Sequence, residues 1–231
     1  MNEFAESNKE HLKEMGAAGK LGYFRDYYLV KVLVGLGIAA VVIYMIYSYL
    51  RPQPVPVLRV AVFDNVEKEE GVAALTEELR TVLDAHDELD EIRFQTNYNS
   101  TNPNDLARLG VMATAQEIDA IAAPKKVFEE FAGYGYFQPL TDYLSDEEMK
   151  SLADEGLVVE AAGIDNKEGS VSTMNENYGK GEVLPYGISL KNSEKWADAM
   201  YNGEEEFVIG IAAGALKAEN VPALIDLLTT H

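Results

Sequence analysis

Cysteine is absent from the 231 residues, and that single absence closes several routes. Disulfides, thiolate zinc sites and a cysteine nucleophile are all excluded. So is a lipoprotein anchor, which needs an N-terminal cysteine. Histidine is scarce, with only His11, His86 and His231, and none stands at metal-ligand spacing or beside an evident nucleophile. Basic residues are scarce too, but only in part of the chain. Residues 1–51 carry six Lys/Arg against five acids, whereas residues 52–231 carry 13 against 34. A surface of that sign repels phosphate backbones and anionic headgroups, so nucleic-acid binding is not expected.

Charge and proline are both missing from Val32 to Leu50, VLVGLGIAAVVIYMIYSYL. As a helix at about 1.5 Å per residue, this run matches a hydrocarbon core of about 30 Å. A transmembrane helix over residues 28–50 is the expectation, with the lipid bilayer as its partner. Bulky YSYLRPQP follows the run in place of a small-x-small cleavage site, which favours a retained signal anchor. Five basic residues precede it and only Arg51 and Arg59 follow closely, so residues 1–27 are expected in the cytoplasm and the acidic part outside the cell membrane. Tyr27, Tyr28, Tyr44, Tyr47 and Tyr49 fit interfacial belts. The first 26 residues suit a short interfacial helix and a disordered segment equally well.

Residues 51–56, RPQPVP, read as a polyproline spacer, so a folded domain is expected over residues 57–231. Within it, β-rich runs alternate with amphipathic stretches. Val57–Phe63 reads as a strand ending in the turn pair Asp64-Asn65. Glu69–Ala85 places Val72, Leu75, Leu79, Val82 and Leu83 on one helical face. Glu91–Asn97 returns to strand, and Asn102 caps a helix opened by Pro103 with Leu106, Leu109 and Met112 inward. Ile118–Ala123 is a short buried strand before a helix started by Pro124. This β-α-β-α-β-α order predicts an α/β fold with a three-layer, parallel-rich sheet. Ser145 to Glu148 is a capping box. Residues 157–192 are less regular, with a hairpin turn at 165–169 that lacks the oxygen ligands of a calcium loop. Ser193 caps a helix holding Trp196, Phe207–Ile211 is a last strand, and Asn220-Val-Pro222 opens a last helix.

Three segments resemble landmarks of the type 2 extracellular solute-binding proteins that serve ABC importers, the carbohydrate-binding group above all. Residues 118–144, IDAIAAPKKVFEEFAGYGYFQPLTDYL, are similar to the family's strand with an aspartate, here Asp119, followed by a helix. GEVLPY, residues 181–186, resembles the crossing strand near the hinge. FVIGIAAGALKAENVPALIDLLT, residues 207–229, resembles the returning strand, small-residue loop and helix. In the family a whole second lobe separates the last two; here only Gly187 to Glu206 does. The resemblance therefore implies a single lobe, without closure around a ligand.

A surviving ligand site belongs at the C-terminal ends of the parallel strands. That places Asp64, Asn65, Tyr98, Asn99, Ser100, Thr101, Pro124 and Tyr186 as candidate binding residues for a sugar or peptide. The same residue types are the ordinary residues of turns and helix caps. Asn99-Ser-Thr101 also fits a glycosylation sequon. No catalytic, metal or cofactor motif is present. Two functions remain: a non-catalytic, membrane-anchored adaptor contacting a membrane or envelope protein, for which Tyr134, Tyr136, Tyr178 and Tyr186 are candidate contacts, and a weak small-molecule receptor using a half cleft.

Overall fold

The computed structural model describes residues 29–165, 177–201 and 205–230. The expectations for residues 1–28, and most of the turn at 165–169, lie outside the described residues. The chain divides into two units, Met1–Gln53 and Pro54–His231. In the first, helix α1 spans Leu29–Leu50, with no charge after Lys31 and every side chain exposed. Its 22 residues reach about 33 Å at 1.5 Å per residue. It is the one described helix long and apolar enough to cross a membrane.

The second unit is an α/β domain built on a mixed, open, six-stranded sheet. Its strands are β1 (Val55–Phe63), β2 (Asp90–Tyr98), β3 (Ala120–Pro124), β4 (Val158–Ala162), β5 (Val183–Ser189) and β6 (Phe207–Ile211), in the spatial order β2-β1-β3-β6-β5-β4. The helices are α2 (Glu69–Val82), α3 (Pro103–Thr114), α4 (Lys125–Gly133), α5 (Asp146–Asp154), α6 (Glu194–Ala199) and α7 (Val221–Thr229). Strand pairing begins at Val55, whose N–H donates to Leu89 O at 2.8 Å, so the end of the expected spacer belongs to β1.

Strands β2, β1 and β3 are parallel, as the β-α-β-α-β order predicts. The other half is not. β6 pairs antiparallel with β3 and β5, and β4 antiparallel with β5, so the parallel-rich expectation holds for three strands only. Right-handed helical crossovers through α2 and α3 give the parallel pairing, whereas after β5 the chain passes through the short helix α6 and comes back antiparallel along β6.

Side chains alternating along the strands build a core on each face of the sheet. Leu58, Val60, Val62, Ile188 and Ile209 face one side, under Leu75 and Leu79 of α2, Leu152 of α5, Trp196 of α6 and Leu224, Ile225 and Leu228 of α7. Ala61, Phe63, Ile121, Ala123 and Val208 face the other, under Leu109 and Met112 of α3 and Phe128 and Phe131 of α4. The domain is thus three layers deep. Two residues expected inside are exposed, Val82 at 56 % and Leu106 at 36 %, because α2 and α3 each turn a narrower stripe to the sheet than the periodicity suggests. Phe128 lies so close to the backbone of β5 and β6 that a methyl group on Gly187 or Gly210 would collide with its ring.

Asp119, fully buried before β3, binds three segments together. Its Oδ2 accepts the Arg59 backbone N–H at 2.9 Å and lies 3.5 Å from the Arg59 Nε, and its Oδ1 accepts the Lys217 N–H at 2.9 Å. Truncating one partner of a buried pair costs about 3–5 kcal/mol. Asp119→Ala is therefore expected to lower the unfolding free energy by about that amount, and Asp119→Asn by less, since an amide oxygen still accepts one of these bonds. Urea denaturation monitored by Trp196 fluorescence measures both; an Ala variant as stable as the parent contradicts the assignment.

Candidate functional site

Strands β1, β2, β3 and β5 all end at one edge of the sheet, where β4 and β6 begin. The order along it is Tyr98, Phe63, Pro124, Phe207, Ser189 and Val158. The structure sorts the eight candidate residues into two groups there.

Asp64, Asn99, Ser100 and Thr101 form a polar corner outside β1 and β2. Asp64 takes a left-handed backbone, φ 53°, which reverses the chain after β1. Its N–H donates to Tyr98 O at 2.9 Å and its Oδ1 accepts from Ser100 N at 2.9 Å. Asn99 Oδ1 accepts from Thr101 N at 2.8 Å and from Thr101 Oγ1 at 2.7 Å, while Asn99 N donates to Asp105 Oδ2 at 3.1 Å. Asn102 then caps α3, accepting from Asn104 N at 3.0 Å. These are the bonds of Asx turns and caps, so much of the corner's polar capacity is spent on its own backbone.

The other four candidates are buried. Tyr98 stacks on Phe63 at 5.2 Å between ring centroids, lies under the Arg108 guanidinium at 5.2 Å, and donates to Gln95 Oε1. Burial pushes its phenol pKa up. Tyr186 does not reach the edge at all. The next residue, Gly187, pairs with Gly210, which itself pairs with Ile121 near the middle of β3, and the Tyr186 hydroxyl sits against Gly163. Its side chain belongs to the core under α4, on the opposite face from Ile188, because the pairing with β4 slips here: Val159 and Glu160 pair with Gly187 and Pro185 and pass over Tyr186. Pro124 closes β3 as a buried residue and precedes α4. Asn65 accepts from Val66 N at 2.8 Å, and its Nδ2 is buried without a partner among the described residues.

The residues that follow Asn65 are bonded to α6 and to the segment after it. Lys68 N donates to Ala199 O at 2.8 Å, Tyr201 N to Val66 O at 2.9 Å, and Lys68 Nζ to Ala197 O at 2.6 Å. Trp196 is completely buried in the core beside Phe207, at 5.7 Å between centroids. The described start of the connection from β5 to β6, residues 190–201, thus packs against the chain leaving β1 at this edge.

Sequence reasoning missed a second polar group at the middle of the edge. Ser189 Oγ donates to Glu206 Oε1, Lys125 Nζ lies 3.3 Å from Glu206 Oε2, and Lys125 N donates to Glu206 O at 2.8 Å. These residues close β5, precede β6 and open α4. They are 64 and 17 positions apart in the chain, and no local pattern links them. The Ser189 hydroxyl bond, and then Lys125, hold the Glu206 carboxyl below its ordinary range against the opposing effect of burial. A carboxylate so stabilised is a poor general base, and the cluster acts as a clamp on three strand ends. Among the described residues no group of three or more His, Asp or Glu is placed to hold a metal ion. Comparison with protein-family models, with curated proteins and with solved structures finds no match for this chain.

Because folding lowers the Glu206 pKa, its stabilisation is present above the ordinary value of 4.5 and is lost as pH falls through the lower folded value. Glu206→Gln is expected to be less stable than the parent at neutral pH, with the gap narrowing as pH falls below about 4.5. Thermal melts across that range check it; a constant gap contradicts the ionic part of the clamp.

Proposed function

We propose that this chain is a membrane-anchored, non-catalytic adaptor, derived from one lobe of a solute-binding protein, that engages a membrane or envelope protein such as an ABC transporter. The observation that carries the reading is the β5–β6 connection. In the family the chain resembles, a second lobe is inserted between the crossing and returning strands. Here β5 runs out to the strand-end edge, β6 runs back antiparallel beside it, and α6 with the buried Trp196 lies in the short connection at the insertion point. A lobe arranged in this way has no opposing wall to close on a ligand. The polar corner at Asp64 and Asn99 to Thr101, bonded largely to itself, points the same way.

Helix α1 supplies the anchor, and the basic residues that precede it put the N-terminus in the cytoplasm and the acidic domain outside. The receptor reading retains one observation in its favour, the Nδ2 of Asn65 at the end of β1, unpartnered among the described residues. Under that reading, oligosaccharides, peptides or amino acids at 100 times their dissociation constant stabilise the protein by about 2.7 kcal/mol, which a thermal-shift screen detects.

The adaptor reading is tested on the full chain in its native membranes. Resistance to high-salt and alkaline washes is expected, with release by detergent. Val41→Asp together with Ile43→Asp adds about 2.5–3.5 kcal/mol per charge at the bilayer centre and is expected to move the protein out of the membrane fraction. Photo-crosslinking is expected to give one reproducible protein adduct with the parent and none with that variant. Failure to recover any reproducible adduct from intact membranes overturns the reading.

A further inference from the structure

The face of the sheet under α2, α6 and α7 carries a groove of about 330 Å³ between α5 and α7. That volume lies at the lower end of the range for ligand pockets. Its floor is apolar, formed by Leu144, Leu152 and Ile225, and its rim carries three carboxylates, Glu148, Glu155 and Asp226. Among the described residues none of the three forms an ion pair. Glu148 accepts from Ser145 N at 2.7 Å and Ser145 Oγ at 2.6 Å in the capping box, and these bonds keep it ionised.

The position of the other two acids is less usual. Leu157, just after α5, and Leu228 and Thr229, at the end of α7, line one small recess, so the C-terminal ends of the two helices come together. Glu155 is the C-cap residue of α5, and Asp226 lies in the last turn of α7. Neither helix has a basic residue in its last turn. Each carboxylate therefore adds negative charge where the helix dipole is already negative, an arrangement that favours a cation. The Lys191 ammonium nearby is engaged with the Gly156 carbonyl at 3.2 Å.

We infer that this groove docks a basic amphipathic segment of a partner protein, with an apolar side chain against Leu144, Leu152 and Ile225 and Lys or Arg side chains against Glu155 and Asp226. The inference rests on the adaptor reading and names the surface and the chemistry of the partner. Charge selects this occupant over the alternatives. A second copy, with a net charge of −20, an anionic lipid surface or a nucleic acid would each bring like charge to the rim. An apolar floor beneath unpaired rim charges is the arrangement that recognises helices by spaced anchors and flanking cations.

The test uses the full chain in phosphatidylcholine nanodiscs and a labelled helical peptide with leucines on one face and lysines on the other. Its counterpart carries glutamates in place of the lysines. The lysine peptide is expected to bind and the glutamate peptide not to, as read by fluorescence anisotropy with empty discs as control. Asp226→Asn with Glu155→Gln is expected to weaken binding at least about fivefold. Neutralising two exposed carboxylates elsewhere, Glu77→Gln with Glu88→Gln, is expected to change it less than about twofold, although it removes the same net charge.

Ser151 is an exposed residue of the rim, so Ser151→Trp is expected to plug the groove and abolish binding without altering the thermal melt. Because the chain has no cysteine, Ser151→Cys carrying a benzophenone gives a single capture point for the peptide. No binding at about millimolar peptide, equal losses in the two double variants, or binding unaffected by Ser151→Trp each overturn the proposal. The two readings fail separately. A membrane partner whose capture ignores Ser151→Trp sinks the groove and leaves the adaptor, whereas peptide binding without any membrane partner sinks the adaptor and leaves the groove.

Discussion

The domain depends on one buried charge. Asp119 has no exposed surface, and a carboxylate taken out of water costs several kcal/mol unless its oxygens are matched by donors. Those donors come from far apart in the chain: Arg59 from the middle of β1, and the Lys217 N–H from the loop leading to α7. The Asp119 N–H also donates to Arg59 O, and Ala212 N donates to Asp119 O. Once these bonds form, β1 and β3 are aligned residue by residue, and the chain leaving β6 has only one route toward α7. All this is settled at the edge where the parallel strands begin. The opposite edge is left to be shaped by connections.

What the connections do there follows from direction. The chain that runs out along β5 does not cross back to the edge where the parallel strands begin, so it re-enters the sheet antiparallel, as β6 between β5 and β3. Gly187 and Gly210 face each other across that pair, and the space they leave is filled by Phe128, whose ring stacks on Phe137 at 4.1 Å between centroids. Close packing on one face of the β5–β6 pair and the excursion to α6 at its end are therefore two results of one chain reversal. The Ser189, Glu206 and Lys125 clamp holds the reversal closed at its outer end.

Much of this was legible from residue patterns. The apolar run of α1, the Asn102 and Ser193 caps, the Ser145 capping box and the parallel order of β1, β2 and β3 all arise from short-range chemistry, and each stands in the structure. The antiparallel half was not legible, because pairing direction is decided by where a connection travels and leaves no mark on the strand itself. Strand β4 hid within an irregular stretch for the same reason: VVEAA is short and weakly patterned, and becomes a strand by finding neighbours, whereas β5 was read as a strand only through the resemblance of residues 181–186 to a crossing strand. Of the candidate site, the turn residues at Asp64 and Asn99 to Thr101 were placed at the edge correctly. Tyr186 was not. A motif places a residue on a strand but does not say how far along it the sheet's edge falls.

The same distinction bears on how an acidic domain acquires a specific surface. An excess of carboxylates spread over a solvated surface attracts cations weakly, over about 8 Å at physiological ionic strength, and without preference for position. Glu155 and Asp226 differ from the rest because two helix ends converge on them and an apolar floor lies beside them. Low-dielectric walls strengthen a charge's field, and the apolar floor rewards a ligand that buries carbon as well as neutralising charge. Composition makes the surface acidic as a whole, whereas the gap between α5 and α7 sets two of its carboxylates beside an apolar floor. Under the proposed adaptor reading such a place is enough, since tethering both partners to one surface would raise their effective concentration and let a modest groove suffice.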